Sequence, residues 1–193
     1  MISISSGYTI YGTGVDYVPN IVLIGYRGTG KTAVGKQLAE VLNRKLIEMD
    51  RLISEKAGMS IPEIIVKYGW TRFREIESEV AERVSKLRNC VIDTGGGVIL
   101  RSENVENLKK RGIIILLKAD IPTISNRIQD DDQRPSLTCN KSFVEEVGEV
   151  LKQRTMMYED AAEFCIDTSK LTLEETVNRI IRYLKTKNVL TKP

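Results

Sequence analysis

The run Gly25-Tyr26-Arg27-Gly28-Thr29-Gly30-Lys31-Thr32 fits G-x-x-x-x-G-K-[ST] at every fixed position. Glycines at this spacing let the backbone curl so that successive N–H groups point into one anion-binding concavity. A helix opening near Lys31 adds the positive end of its dipole. Lys31 is then placed to reach the β- and γ-phosphates of a nucleotide, and the Thr32 hydroxyl to ligate Mg²⁺. Gly28, Thr29, Gly30 and Ala33 complete the cradle expected for ATP. A GTPase would add Asn-Lys-x-Asp for the base, but here Asn140-Lys141 is followed by Ser142-Phe143.

Other residues suit an acceptor for the phosphate. Asp50 follows the second strand signal, at the carboxyl end of a sheet, where open α/β folds bind ligands. Arg74 lies in Phe73-Arg74-Glu75-Ile76-Glu77, and Arg154 lies on a long helical stretch. Gly95-Gly96-Gly97 offers bare backbone that a ligand can approach closely. Asp93 ends an apolar run just before these glycines, a position from which a carboxylate faces a bound metal. Each residue taken alone also has a plainer reading: Asp50 as a helix N-cap, Asp93 as a turn cap, Arg74 and Arg154 as solvated surface charges.

The elements that must hold these groups alternate from Asn20 onward. Ile21–Ile24 is a short apolar run ending at a glycine, as in a buried parallel strand. Helical spacing follows over 31–42. Lys45–Glu48 fits a strand, and Ser60 with Glu63 fits a capping box with Pro62 in the first turn. That helix should break near Gly69 and resume through Leu87. Strands are expected at Cys90–Ile92, Ile113–Lys118 and Phe164–Ile166, and helices near 103–110, 122–128, 142–162 and 172–186. Asp130–Asn140, with Arg134-Pro135, reads as a polar loop. The whole predicts a three-layer α/β/α fold around five parallel strands, one domain over 20–188. Residues 1–19 carry a single charge, Asp16, and read as a disordered or partly ordered extension.

Composition narrows the chemistry. The 193 residues include 29 basic and 26 acidic side chains and no histidine, so Ser-His-Asp systems, imidazole zinc sites and histidine proton shuttles are excluded. A formal charge of +3 does not point to nucleic acid or a membrane surface as partner. Cys90, Cys139 and Cys165 form no Cys-x-x-Cys pair, so no zinc clip or redox motif is supported. No apolar run is long enough to cross a bilayer, and the N-terminus lacks the basic start of a targeting signal. A cytoplasmic monomer with a small-molecule substrate is the expectation.

Taken together the motifs resemble shikimate kinase, of the nucleoside-monophosphate-kinase-like P-loop fold, over about residues 20 to 185. The likeness rests on the phosphate loop, Asp50 with Leu52-Ile53, Gly58-Met59-Ser60-Ile61, Phe73-Arg74-x-x-Glu77, the triple glycine, Arg134-Pro135-x-Leu137 and Arg154-x-x-x-Tyr158, in that order. The resemblance implies that Asp50 binds the shikimate hydroxyls and orients or deprotonates the attacking one. It implies that Arg74 and Arg154 hold the carboxylate, that Gly95, Gly96 and Gly97 donate N–H groups, and that Phe73 lines the pocket. Arg134, on a mobile lid over 130–140, would close on the phosphates as a catalytic group beside Lys31 and Asp50. Arg127 would lie near the adenine, or else pair with Asp130–Asp132.

The chain departs from the family in places. Glu48-Met49-Asp50 stands where the family has Asp-x-Asp, and Ser136 where it favours leucine. Glu48 and Asp93 are expected to hold Mg²⁺ through water. A gluconate or nucleotide kinase of the same fold, or a nucleotide-binding regulatory module without catalysis, are the competing readings.

Overall fold

A computed structural model describes residues 18–128 and 143–190. Most of the N-terminal extension and the whole 130–140 loop, with Arg134, lie outside the described residues. Five strands, β1 (Asn20–Ile24), β2 (Lys45–Glu48), β3 (Cys90–Asp93), β4 (Gly112–Lys118) and β5 (Phe164–Asp167), form one sheet in the order β2-β3-β1-β4-β5. Every pairing is parallel. The central strand β1 is buried at all five positions, which explains its uninterrupted apolar run: both faces of a parallel sheet are covered.

The two faces are packed by different helices. Val22, Ile24, Ile92, Ile114 and Leu116 share one core with α3 (Ile61–Ser85) and with Tyr158 and Ala161 of α6 (Phe143–Ala161). Ile21, Leu23, Val91, Ile115 and Leu117 share the other with α1 (Lys31–Val41) and α7 (Leu173–Thr186). Side chains alternate faces along each strand, so neighbours in sequence feed opposite cores. The three layers are those the sequence predicts. Among the described residues, no helix is long and apolar enough to cross a membrane.

Local rules set the helices. Ser60 and Glu63 form the expected reciprocal capping box on α3, and Thr172 and Glu175 form another on α7. The break in α3 falls at Gly69, whose φ of 79° and ψ of 172° are not helical. Short helices α4 (Ser102–Lys109) and α5 (Ile121–Ile128) complete the connections. One helix was not foreseen: α2 (Met49–Ala57) starts directly at the end of β2. Gly58, left-handed at φ 67°, closes it, and an Arg51–Glu55 pair at 2.7 Å supports its exposed side. Asp50 therefore sits in the first turn of a helix whose N-cap is Glu48, and is not itself the N-cap.

Candidate active site

The phosphate loop joins β1 to α1. Gly28 and Gly30 have φ of 77° and 93°, values that side-chain-bearing residues rarely adopt, so these two glycines are required by backbone conformation. Thr29 is buried and ties the loop to itself by donating from Oγ1 to Tyr26 O at 2.7 Å. Lys31 lies back across the loop, its Nζ donating to Gly25 O at 2.8 Å and Tyr26 O at 3.0 Å. Arg127 of α5 donates to Gly28 O at 3.2 Å and to Thr168 O at 3.0 Å, so it fastens the loop to the end of β5. Its foreseen alternative partners, Asp130–Asp132, are outside the described residues.

Beside the loop opens a cleft of about 970 Å³ lined by Lys31, Thr32, Glu48, Asp50, Asp93 and Arg127, among others. Gly28, Gly30 and Ala33 also face it. Thr32 Oγ1 donates to Asp93 Oδ2 at 2.7 Å. Asp93 is thus held by a side chain of the phosphate-loop helix, and β2–β3 pairing sets Glu48 directly across from it. Burial pushes the Asp93 carboxyl up, and the neighbouring Glu48 adds to this, while Lys31 and the Thr32 hydroxyl pull it down. Among the described residues no three His, Cys, Asp or Glu side chains gather in a way that could hold a metal.

A second cleft of about 560 Å³ lies on the other side of Asp50. Ile61, Ile65, Trp70 and Phe73 give it an apolar wall, and Arg74, Glu77 and Arg154 its charged end. The break at Gly69 lets both halves of α3 contribute to this wall. Arg74 and Glu77 stand three apart on the helix and pair at 2.6 Å, with Glu77 only 1% exposed. The Arg74 guanidinium also lies 4.8 Å from the Phe73 ring centroid and 5.5 Å from that of Trp70. Burial raises the Glu77 carboxyl above its ordinary range; Arg74, Arg101 and Arg154 oppose the shift.

The triple glycine lines the second cleft, and its middle residue, Gly96, also borders the first. None of its three residues has a positive φ, so Gly95 and Gly97 answer to space and not to conformation, while a Cβ on Gly96 would meet nothing nearer than 3.4 Å. A Cβ on Gly97 would lie 2.2 Å from Arg74 Nη1. One on Gly95 would lie 2.9 Å from Asp50 Oδ1 and 3.2 Å from Glu77 Oε1. The side chains the sequence singles out as acceptor-binding fill the room that missing side chains leave. Tyr158 of α6 fixes the turn by donating from its hydroxyl to Gly96 O. Burial pushes that phenol up to about 12, so it remains a donor at any ordinary pH.

Of the foreseen site residues, the structure brings together Lys31, Thr32, Glu48, Asp50, Phe73, Arg74, Asp93, the three glycines, Arg127 and Arg154 along one continuous groove. Arg134 lies outside the described residues. Arg27, Trp70 and Glu77, which line the groove, and Tyr158, which holds the Gly96 carbonyl, were given no role by the sequence. The spacing Arg74–Glu77 and Arg154–Tyr158 was a signal for two of them, since residues three or four apart on a helix share a face.

Known proteins resemble this chain in sequence and in fold. The family model for shikimate kinase matches residues 27–185. A shikimate kinase of Thermodesulfovibrio yellowstonii is 44% identical over 163 residues, covering 84% of this chain and 93% of the relative. One from Caldanaerobacter subterraneus is 42% identical over 169 residues, covering 87% and 98%. Among solved structures, the shikimate kinase of Acinetobacter baumannii in complex with shikimate superposes with a TM-score of 0.83 at 33% identity, covering 88% of this chain and 94% of that one. By motif order, by fold and by these likenesses, the chain belongs to the shikimate kinase family.

Proposed function

We propose that the chain transfers the γ-phosphoryl group of ATP to the 3-hydroxyl of shikimate, with the nucleotide in the phosphate-loop cleft and the acceptor in the arginine-ended cleft. The observation that carries this reading is that the two clefts meet: Arg27, Asp50 and Gly96 line both. A donor phosphate in one cleft and an acceptor hydroxyl in the other would meet beside Asp50, which faces both. Catalysis of this kind is mainly positioning and charge stabilisation.

In the reaction, the acceptor oxygen forms a new bond to the γ-phosphorus while the bond to the β,γ-bridging oxygen breaks and ADP leaves with that oxygen. Asp50 receives the hydroxyl proton. Arg74 and Arg154 hold the acceptor carboxylate, a pairing for which the planar guanidinium is suited. Glu77 keeps Arg74 in place, and Phe73 and Trp70 pack the ring and exclude water. Lys31 moves from the loop carbonyls onto the phosphates. Arg134 adds charge from the 130–140 loop, and Arg127 flanks the nucleotide.

The donors near the phosphates suit Mg²⁺. Thr32, Glu48 and Asp93 are all oxygen donors and too few for a protein cage, which matches an ion that keeps its waters and takes phosphate ligands. The Thr32 hydroxyl gives its hydrogen to Asp93, which leaves its lone pairs available to a cation. Bound there, Mg²⁺ would neutralise developing charge on the phosphates.

The test is ADP release with shikimate, gluconate and nucleoside monophosphates assayed in parallel. Shikimate alone should stimulate release. Equal stimulation by gluconate, or none by shikimate, would overturn the assignment.

A further inference from the structure

Arg27 occupies a variable position of the phosphate-loop pattern, where the motif demands no particular residue. Its location is nevertheless special. Among the described residues, four cations line the phosphate cleft: Arg27, Lys31, Arg51 and Arg127. Arg51 is exposed and paired with Glu55, and Arg127 is fastened to Gly28 and Thr168 at the far side of the loop. Of the four, only Arg27 also lines the acceptor cleft.

Two contacts set its position. The backbone N of Arg27 lies 3.4 Å from where a Cβ of Gly96 would stand, so the loop and the triple-glycine turn abut at this residue. Its guanidinium carbon lies 5.7 Å from the ring centroid of Tyr26, which is 3% exposed and so nearly immobile. Among the described residues, Arg27, Asp50 and Gly96 line both clefts, so Arg27 borders the junction across which the proposed transfer would run.

We infer that Arg27 is a catalytic residue, donating hydrogen bonds to the oxygens of the phosphoryl group as it passes from ATP to the acceptor. This rests on the phosphoryl transfer proposed above and adds a role to it. Charge on the three equatorial oxygens is spread through the transfer, and a guanidinium fixed at the crossing matches that distribution better than it matches either bound substrate alone. Arg27 is therefore expected to act on turnover and to leave acceptor affinity largely alone.

The experiment compares wild type, Arg27→Met and Arg27→Lys. Trp70 is the single tryptophan of the chain and lines the acceptor cleft, so its fluorescence reports shikimate binding independently of activity. Steady-state ADP release gives kcat. Arg27→Met should lower kcat by about 10²- to 10³-fold, the usual cost of losing one charge-stabilising donor, with the shikimate Kd within about threefold of wild type. Arg27→Lys keeps stem and charge but loses the planar donors, so it should restore part of the rate. If the Met variant does not fold, the Lys variant carries the test, with at least a tenfold drop expected.

A kcat within about threefold of wild type in the folded variants would overturn the inference. So would a large rise in Kd with kcat retained, which would make Arg27 a binding group only. A wild-type chain inert toward shikimate would instead remove the transfer reading itself, and the inference with it.

Discussion

Gly97→Ala tests the claim that Gly95 and Gly97 exist to make room for side chains. The new methyl carbon would stand 2.2 Å from Arg74 Nη1, 2.3 Å from Nη2 and 2.4 Å from Cζ, so it collides with the whole guanidinium at once. Non-bonded heavy atoms sit at about 3.5 Å or more, so the group must retreat by more than about 1 Å. The chain of Arg74 is flexible, but its end is confined by Phe73, Trp70 and the 2.6 Å pair with Glu77. Retreat therefore breaks or lengthens that pair and leaves a nearly buried carboxylate short of its cation. Losing a charge-assisted bond costs about 1.5–3 kcal/mol, and a misplacement of this size in a binding group lowers turnover efficiency by about 10²-fold. Gly97→Ala should accordingly show kcat/KM for shikimate reduced by about two orders of magnitude, an unchanged KM for ATP, and a lower urea midpoint. A variant within about threefold of wild type for shikimate would refute the steric argument outright.

Further outcomes follow from other parts of the groove. Asp50→Asn should lower kcat by about 10²- to 10⁴-fold, the range for loss of a general base, while Trp70 fluorescence still reports shikimate binding; turnover surviving nearly intact would remove Asp50 from the proton's path. Asp93→Asn should raise the Mg²⁺ concentration needed for half-maximal rate by about tenfold, as for other groups that orient metal ligands, and an unchanged requirement would end the proposed metal role. Glu77→Gln removes a carboxyl whose folded value is raised mainly by burial. Such a group favours the folded state below its ordinary value of 4.5 and loses that contribution as pH rises through the raised value. The stability advantage of wild type over Glu77→Gln should therefore shrink as pH is raised from about 4.5 in urea titrations; an advantage that grows with pH would contradict the burial argument.

Much of the fold was legible because its signals are local. A parallel strand covered on both faces must be continuously apolar, as Ile21–Ile24 and Ile113–Leu117 are. Ser60-Glu63 and Thr172-Glu175 cap their helices by chemistry written within four residues. Helix α2 escaped notice because its pattern is weak: only Met49 and Ile53 are buried in nine residues, too few to set a period. At the site, the phosphate loop was readable because its backbone demands glycine at fixed places. Glu77 could be placed on one helix face with Arg74, and Tyr158 with Arg154, by spacing, but what they touch could not be read. Their work depends on meeting residues far along the chain: Tyr158 reaches Gly96 across 62 positions, and Glu77 meets Gly95 through the folding of α3 over β3. Nor could spacing reveal that Gly97 and Gly95 serve Arg74 and Asp50 sterically. That requires knowing which side chains arrive from α2 and α3.

Among the described residues, the end of the acceptor cleft away from the phosphate loop holds two arginines, Arg74 and Arg154, against one carboxylate, Glu77, which leaves one positive charge over, while Arg27 and Asp50 carry opposite charges at the edge shared with the phosphate cleft. A guest bearing a single negative charge brings the enclosed space to neutrality. A neutral analogue would leave a cation uncompensated among apolar walls, and a dianion such as a nucleoside monophosphate would overshoot. Because uncompensated charge is costly where water is excluded, a cleft so charged would sort candidate acceptors by valence before it read their hydroxyls. Discrimination among monoanions of similar size then falls to the shape of the wall made by Ile61, Ile65, Trp70 and Phe73.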